Sequence, residues 1–256
     1  MNEMKDVEAY VDGGLNIMSA SLSLVDPAYG MIAMALQPAI SIKLKDWFRG
    51  MINKGLTKRE FDRLDKAIDG MASTIEENQK ENRRTNQVLL SPDTEGFSSA
   101  DDIFEAVLKQ IKNDSDRRKT FFTGCFLGNV SFANQLSYSN LMQYERIISQ
   151  LTYSHLCVLY VLSEFKSGSL GNKKCNGADI YARSHSDPDT SEVYSELLFL
   201  KTLGLVRSIP PYNLGAQVGS VEISDLGIRL CELMRLNLLE KEDVNKSLSI
   251  LNNFCQ

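Results

Sequence analysis

Histidine is scarce, with two in 256 residues, and no two of the five cysteines form a C-x-x-C pair. The first scarcity removes the commonest general base and metal ligand from most of the chain. Cys125, Cys157, Cys175, Cys231 and Cys255 are odd in number and scattered, the pattern of reduced cytosolic thiols and not of a disulfide framework. Also missing are a G-x-S-x-G elbow, a phosphate-cradling Gly-Lys-Ser/Thr loop and a dinucleotide fingerprint. There is no basic surplus: the net charge is −5, which argues against a generic nucleic-acid coat. No basic stretch feeds an apolar run after Met1, so no secretory signal is expected and the chain reads as cytoplasmic. What is present, 43% hydrophobic and 24% charged residues, is ordinary globular composition at a length that suits two packed modules.

Apolar runs are interrupted too. Between Leu15 and Ile42 the sole charge is Asp26, but Asp26-Pro27 and Pro38 divide the stretch, and a spanning helix needs about 20 consecutive apolar residues. Helices buried in a soluble bundle are therefore expected. Membrane-surface association is a second reading, because Lys43, Lys45, Arg49, Lys54, Lys58 and Arg59 follow, with Trp47 and Phe48 among them.

Periodicity divides the rest of the chain. Thr57 and Glu60 have capping-box spacing, and Phe61, Leu64, Ile68, Met71 and Ile75 form one narrow apolar seam over 57–84. Residues 85–100 read as a connector. Ile103, Phe104, Val107, Leu108 and Ile111 resume the helical period, started by Ser98 or Ser99. Phe121, Phe122, Cys125, Phe126 and Val130 make another apolar face, where Gly124 and Gly128 leave room for a close neighbouring helix. A further helix carries Leu141, Tyr144, Ile148 and Leu151. Beyond residue 151 a dense apolar helix, a short helix over 178–183 and a third helix capped by Thr190 or Ser191 and ended by Gly204 are expected. Strand-like runs at 205–209 and 221–223, joined by a turn-rich stretch, then read as a hairpin, and Ser224-Asp225-Leu226-Gly227 opens another helix. The fold expected is mainly α: an N-terminal helical bundle plus a C-terminal winged helix-turn-helix with a small two-stranded β wing. The expected divisions are 1–90 (apolar segment and amphipathic helix), 91–150 (helical bundle and connector) and 151–256 (winged-helix domain).

Leu200-Lys201-Thr202-Leu203-Gly204-Leu205-Val206, followed by Val221-Glu222-Ile223-Ser224-Asp225-Leu226-Gly227-Ile228-Arg229-Leu230, resembles the end of the third helix, the wing and the next helix of MarR- and PadR-like winged-helix proteins. The stretch from Arg117 to Asn129, then Ile147 to Thr152 and the winged region, resembles the bacterial abortive-infection alpha (Abi-alpha) family. The chain departs from that family in having Phe126-Leu127-Gly128-Asn129 where a "leu-leu-ala-asn" type stretch is usual. Membership would imply a link to phage defence.

A winged helix that reads DNA offers its third helix to the major groove. Here residues 185–200 carry Asp187, Asp189, Glu192 and Glu196 with no Lys or Arg, a face that would repel phosphates. Asp189, Glu192, Ser195 and Glu196 are accordingly read as a partner face, and the chain as a non-enzymatic interaction protein that engages a protein partner or a second copy of itself. The alternatives are a DNA-binding regulator and a membrane-associated effector. For these, Lys43, Lys45, Arg49, Arg117, Arg118, Lys119 and Arg207 are the candidate contacts with nucleic acid or an anionic surface. His155 is expected in a packed helix and His185 in a turn beside Asp187 and Asp189. Neither suggests catalysis, and no metal or cofactor is expected.

Overall fold

The computed structural model describes residues 56–91, 94, 98–170, 173–209 and 220–255. The apolar stretch 15–42 and the cations Lys43, Lys45, Arg49 and Lys54 lie outside the described residues.

The first helix among the described residues, α1 (Lys58–Lys80), starts as its sequence dictates: Thr57 accepts from the Glu60 N–H and the Glu60 carboxylate accepts from the Thr57 N–H at 2.7 Å. Its buried face is wider than the expected seam, because Ala67, Gly70, Ala72 and Thr74 are buried beside Leu64, Ile68, Met71 and Ile75. These small residues meet α4 (Thr120–Val130). A Cβ on Gly124 would stand 1.9 Å from the Ala67 carbonyl oxygen, so any larger residue there forces the helices apart. The expected close approach is thus made by α1.

Between them in sequence come α2 (Gln87–Leu90), a single turn within the expected connector, and α3 (Ser99–Asn113). Ser98 and Asp101 form the capping box of α3, and its five predicted apolar residues are all buried. Helix α5 (Tyr138–Gln150) packs against α3.

The carboxyl-terminal segment runs α6 (Tyr153–Ser167), β1 (Cys175–Asn176), α7 (Gly177–Ser184), α8 (Pro188–Thr202), β2 (Val206–Ile209), β3 (Ser220–Ile223), α9 (Asp225–Met234), a 3₁₀ turn (Leu236–Leu238) and α10 (Lys241–Asn252). The strands form an antiparallel sheet in the order β1-β3-β2. Val206 lies opposite Ile223 and Cys175 opposite Val221. Two strands were expected; the third is only two residues long, too short to leave a period in the sequence. This order of helices and strands is compatible with a winged helix. The turn-rich stretch 210–219 lies outside the described residues.

Two details differ from expectation for identifiable reasons. Helix α8 begins earlier than Thr190: Asp187 is the N-cap and Pro188 occupies the first turn, where its missing N–H costs nothing. Two of the five cysteines are not free thiols. Cys175 and Cys255, 80 residues apart in sequence, are joined in a disulfide where the chain end bridges to β1, and the Asn176 N–H donates to the Phe254 carbonyl at 2.8 Å. Scattering along the chain does not measure separation in space.

One apolar cluster runs from Leu64 to Cys255 without a break, with α4 packed on both α1 and α9.

Candidate functional site

Helix α8 carries the four carboxylates on which the expected partner face rests, and the fold assigns each of them locally. Asp187 caps the helix and accepts from Thr190. Asp189 and Glu192 both reach Lys246 of α10, at 3.7 and 3.2 Å. Glu196 is half-buried, and burial pushes its carboxyl above the usual range, opposed by a hydrogen bond with Ser154. The side of α8 opposite the buried Val193, Leu197 and Leu200 presents Ser195, Leu198 and Thr202, flanked by Ser191 and Tyr194. Leu198 is 46% exposed, and Tyr181 of α7 is 47% exposed with its ring 5.5 Å from that of Tyr194. Asp189 and Glu192 share the Lys246 ammonium on the flank of α8 that faces α10, leaving one negative charge in surplus there, roughly 120–180° around the helix from Leu198. Of the predicted partner residues, Ser195 lies on the surface around Leu198, Asp189 and Glu192 are exposed on the flank facing α10, and Glu196 is turned towards α6.

Of the consecutive cations 117–119, Lys119 turns inward while Arg117 and Arg118 stay exposed. Lys119 is withdrawn from solvent, its side chain 2% exposed; the ammonium pairs with Asp114 at 2.6 Å and donates to the Leu151 carbonyl at 2.7 Å and that of Ile148 at 3.2 Å. It joins the end of α5 to the start of α4 and cannot serve as a surface contact. Arg117 lies 3.5 Å from Asp62, and Arg118 sits over the Tyr153 ring at 4.3 Å while facing Asp243.

Arg207 belongs instead to a cluster that no sequence signal announces. The buried Glu222 on β3 is met by Lys174 at 3.2 Å, Lys166 at 3.6 Å and Arg207 at 3.8 Å, three half-exposed cations around one carboxylate. Lys246 and Glu222 are the two functional candidates missed by sequence reading, since each acts through partners on distant segments.

Other candidate chemistry is accounted for by packing. The His155 ring accepts from the Thr152 N–H at 3.0 Å as the reciprocal half of a capping box and stacks on Phe199. Burial, aided by Lys119, holds its pKa below the usual value. His185 contacts the Tyr181 carbonyl and ring. Burial pushes the thiols of Cys125 up to about 11 and of Cys157 and Cys231 up to about 12, so all three are protonated near neutral pH. Among the described residues no three His, Cys, Asp or Glu side chains are grouped to hold a metal ion, and no helix is long and apolar enough to cross a membrane.

Comparison with protein-family models, with curated proteins and with solved structures finds no match for this chain. The likenesses to winged-helix and abortive-infection proteins therefore rest on the quoted residues alone.

Proposed function

We propose that this chain is a binding protein whose carboxyl-terminal half is a winged helix that takes a protein partner on the outer side of α8. The observation that carries this reading is the exposed surface of Leu198 and Tyr181 beside Tyr194. Exposed apolar and aromatic groups beside polar ones are what protein interfaces bury, and the surplus carboxylate on the other flank of the same helix opposes a phosphate backbone. The partner fitted by this surface offers an apolar knob. In a bacterial host this role belongs with phage defence, as the abortive-infection resemblance implies, and phage plating efficiency on cells making the wild type or Leu198→Asp tests that context.

A photocrosslinking residue at position 198 is expected to trap one protein in such cells, and a control at Lys80 none. Adding Tyr181→Ala should abolish the adduct. Equal labelling at both positions, or an adduct indifferent to Tyr181→Ala, would overturn the reading.

A DNA-binding regulator is the second reading, favoured by the two surplus cations around Glu222 at the base of the strands. It requires a DNA complex that weakens steeply with salt and with Arg207→Glu.

A further inference from the structure

The end of α1, the turn between α4 and α5, and α9 enclose a cleft of about 330 Å³ that no function described so far uses. Three arginines from two distant segments converge on it. Asn82 adopts a left-handed conformation (φ 54°) at the end of α1, and the Arg83 N–H closes on the Asn78 carbonyl at 2.9 Å, which turns Arg83 and Arg84 to the rim. The Asn134 side-chain amide donates to the Arg84 carbonyl at 2.6 Å and fixes the second wall to the first. Arg229 of α9 supplies the third wall and donates to Gln135 Oε1 at 2.9 Å.

The arginines are weakly held. Arg83 pairs with Glu81 and Arg229 with Glu232 at 3.6 Å, in both cases between partly or well exposed side chains, and such surface pairs contribute roughly 0–1 kcal/mol. Among the described residues the Arg84 guanidinium has no ion-pair partner. Of the charged residues lining the cleft, three are Arg and one, Glu232, is acidic; with Glu81, which pairs with Arg83, one positive charge is in surplus. Guanidinium groups bind phosphate oxygens in bidentate fashion, and a dianion would displace the exposed glutamates at little cost.

The remainder of the cleft is neither basic nor wide. Phe132, Leu136 and Leu233 form an apolar part, while Asn134 Oδ1 and Gln135 Nε2 provide an acceptor and a donor with no bond among the described residues. That pairing matches the edge of a heterocycle lying on an apolar floor. The volume is at the small end of the roughly 300–1,000 Å³ usual for ligand sites, and it excludes a nucleic-acid strand.

We infer that this cleft binds a phosphorylated heterocycle of mononucleotide size, its phosphate on Arg83, Arg84 and Arg229 and its flat ring over Phe132 beside Asn134 and Gln135. The site is separate from the α8 surface, and its fate does not depend on the partner reading.

Calorimetric titration of the full chain with AMP, UMP, inorganic phosphate and adenosine at low salt tests it. One of the nucleotides is expected to bind at micromolar to sub-millimolar concentration, and more tightly than phosphate or adenosine. Arg84→Glu, a change at an exposed side chain that leaves the fold's packing untouched, should weaken that binding by about tenfold or more, and Arg84→Lys by less. Circular dichroism of both variants verifies that the helices persist. Absence of binding by both nucleotides at millimolar concentration would overturn the inference. So would phosphate binding as tightly as the nucleotides, or binding unaffected by Arg84→Glu.

Discussion

Arg117, Arg118 and Lys119 are adjacent in sequence and end up apart in electrostatic role; Lys166, Lys174 and Arg207 are scattered in sequence and end up around one carboxylate. The first run looks like a patch and is three separate structural contacts, one of them fully buried. The second set looks like isolated surface charge and is the most concentrated positive region of the sheet. Charge density along a chain is therefore a poor guide to charge density on its surface, because helix phase and strand pairing decide which cations share a neighbourhood.

The sharpest way to break this contrast is Lys119→Met. It strands the Asp114 carboxylate, itself 9% exposed, and leaves the carbonyls of Ile148 and Leu151 without their ammonium donor. Losing one partner of a buried pair costs about 3–5 kcal/mol, and urea unfolding should show that loss. A change below 1 kcal/mol would place Lys119 back at the surface.

Glu222→Gln should be milder, about 1 kcal/mol or less, because its three cations are half-exposed and water can replace the carboxylate. Its distinguishing effect is on charge: the strand base gains a further positive charge, so retention on a polyanion column should rise. Unchanged retention would mean that the three cations do not act as a cluster.

The smallest effect is expected from Glu196→Gln, the carboxylate of α8 that burial leaves poorly solvated. A carboxyl raised in the folded state favours folding while it is protonated, and that contribution is lost as pH rises from its unfolded value through the folded one. The variant should therefore have a higher Tm than wild type near neutral pH and an equal one in acid. An equal Tm at both pH values would return Glu196 to solvent beside Glu192.

What could be read from the chain beforehand was local. The capping boxes at Thr57 and Ser98, the small residues Gly124 and Gly128, and the strand runs flanking Gly204 and Ser224 each act within one turn or one strand, so their neighbours in sequence carry the information. The α8 surface was half legible. Its acidic residues were visible, but helix phase alone did not reveal that α10 would bring Lys246 to Asp189 and Glu192 or that α6 would take in Glu196. Capping was less legible where its chemistry was unusual: the start expected at Thr190 or Ser191 lies earlier, at Asp187 with Pro188 in the first turn, and a histidine completes the box at Thr152. The arginine cleft joins residues up to 146 positions apart in numbering, Arg83 to Arg229, and no periodicity spans that distance.

The bond between Cys175 and Cys255 ties two points of the chain into a ring containing α7, α8, all of β2 and β3, α9, the 3₁₀ turn and α10. A protease that cuts once inside this ring, for instance between the strands, would produce no separate fragments. The cut molecule would keep its mass and migrate as one species until a reductant opened the bridge, and only then would the severed piece depart.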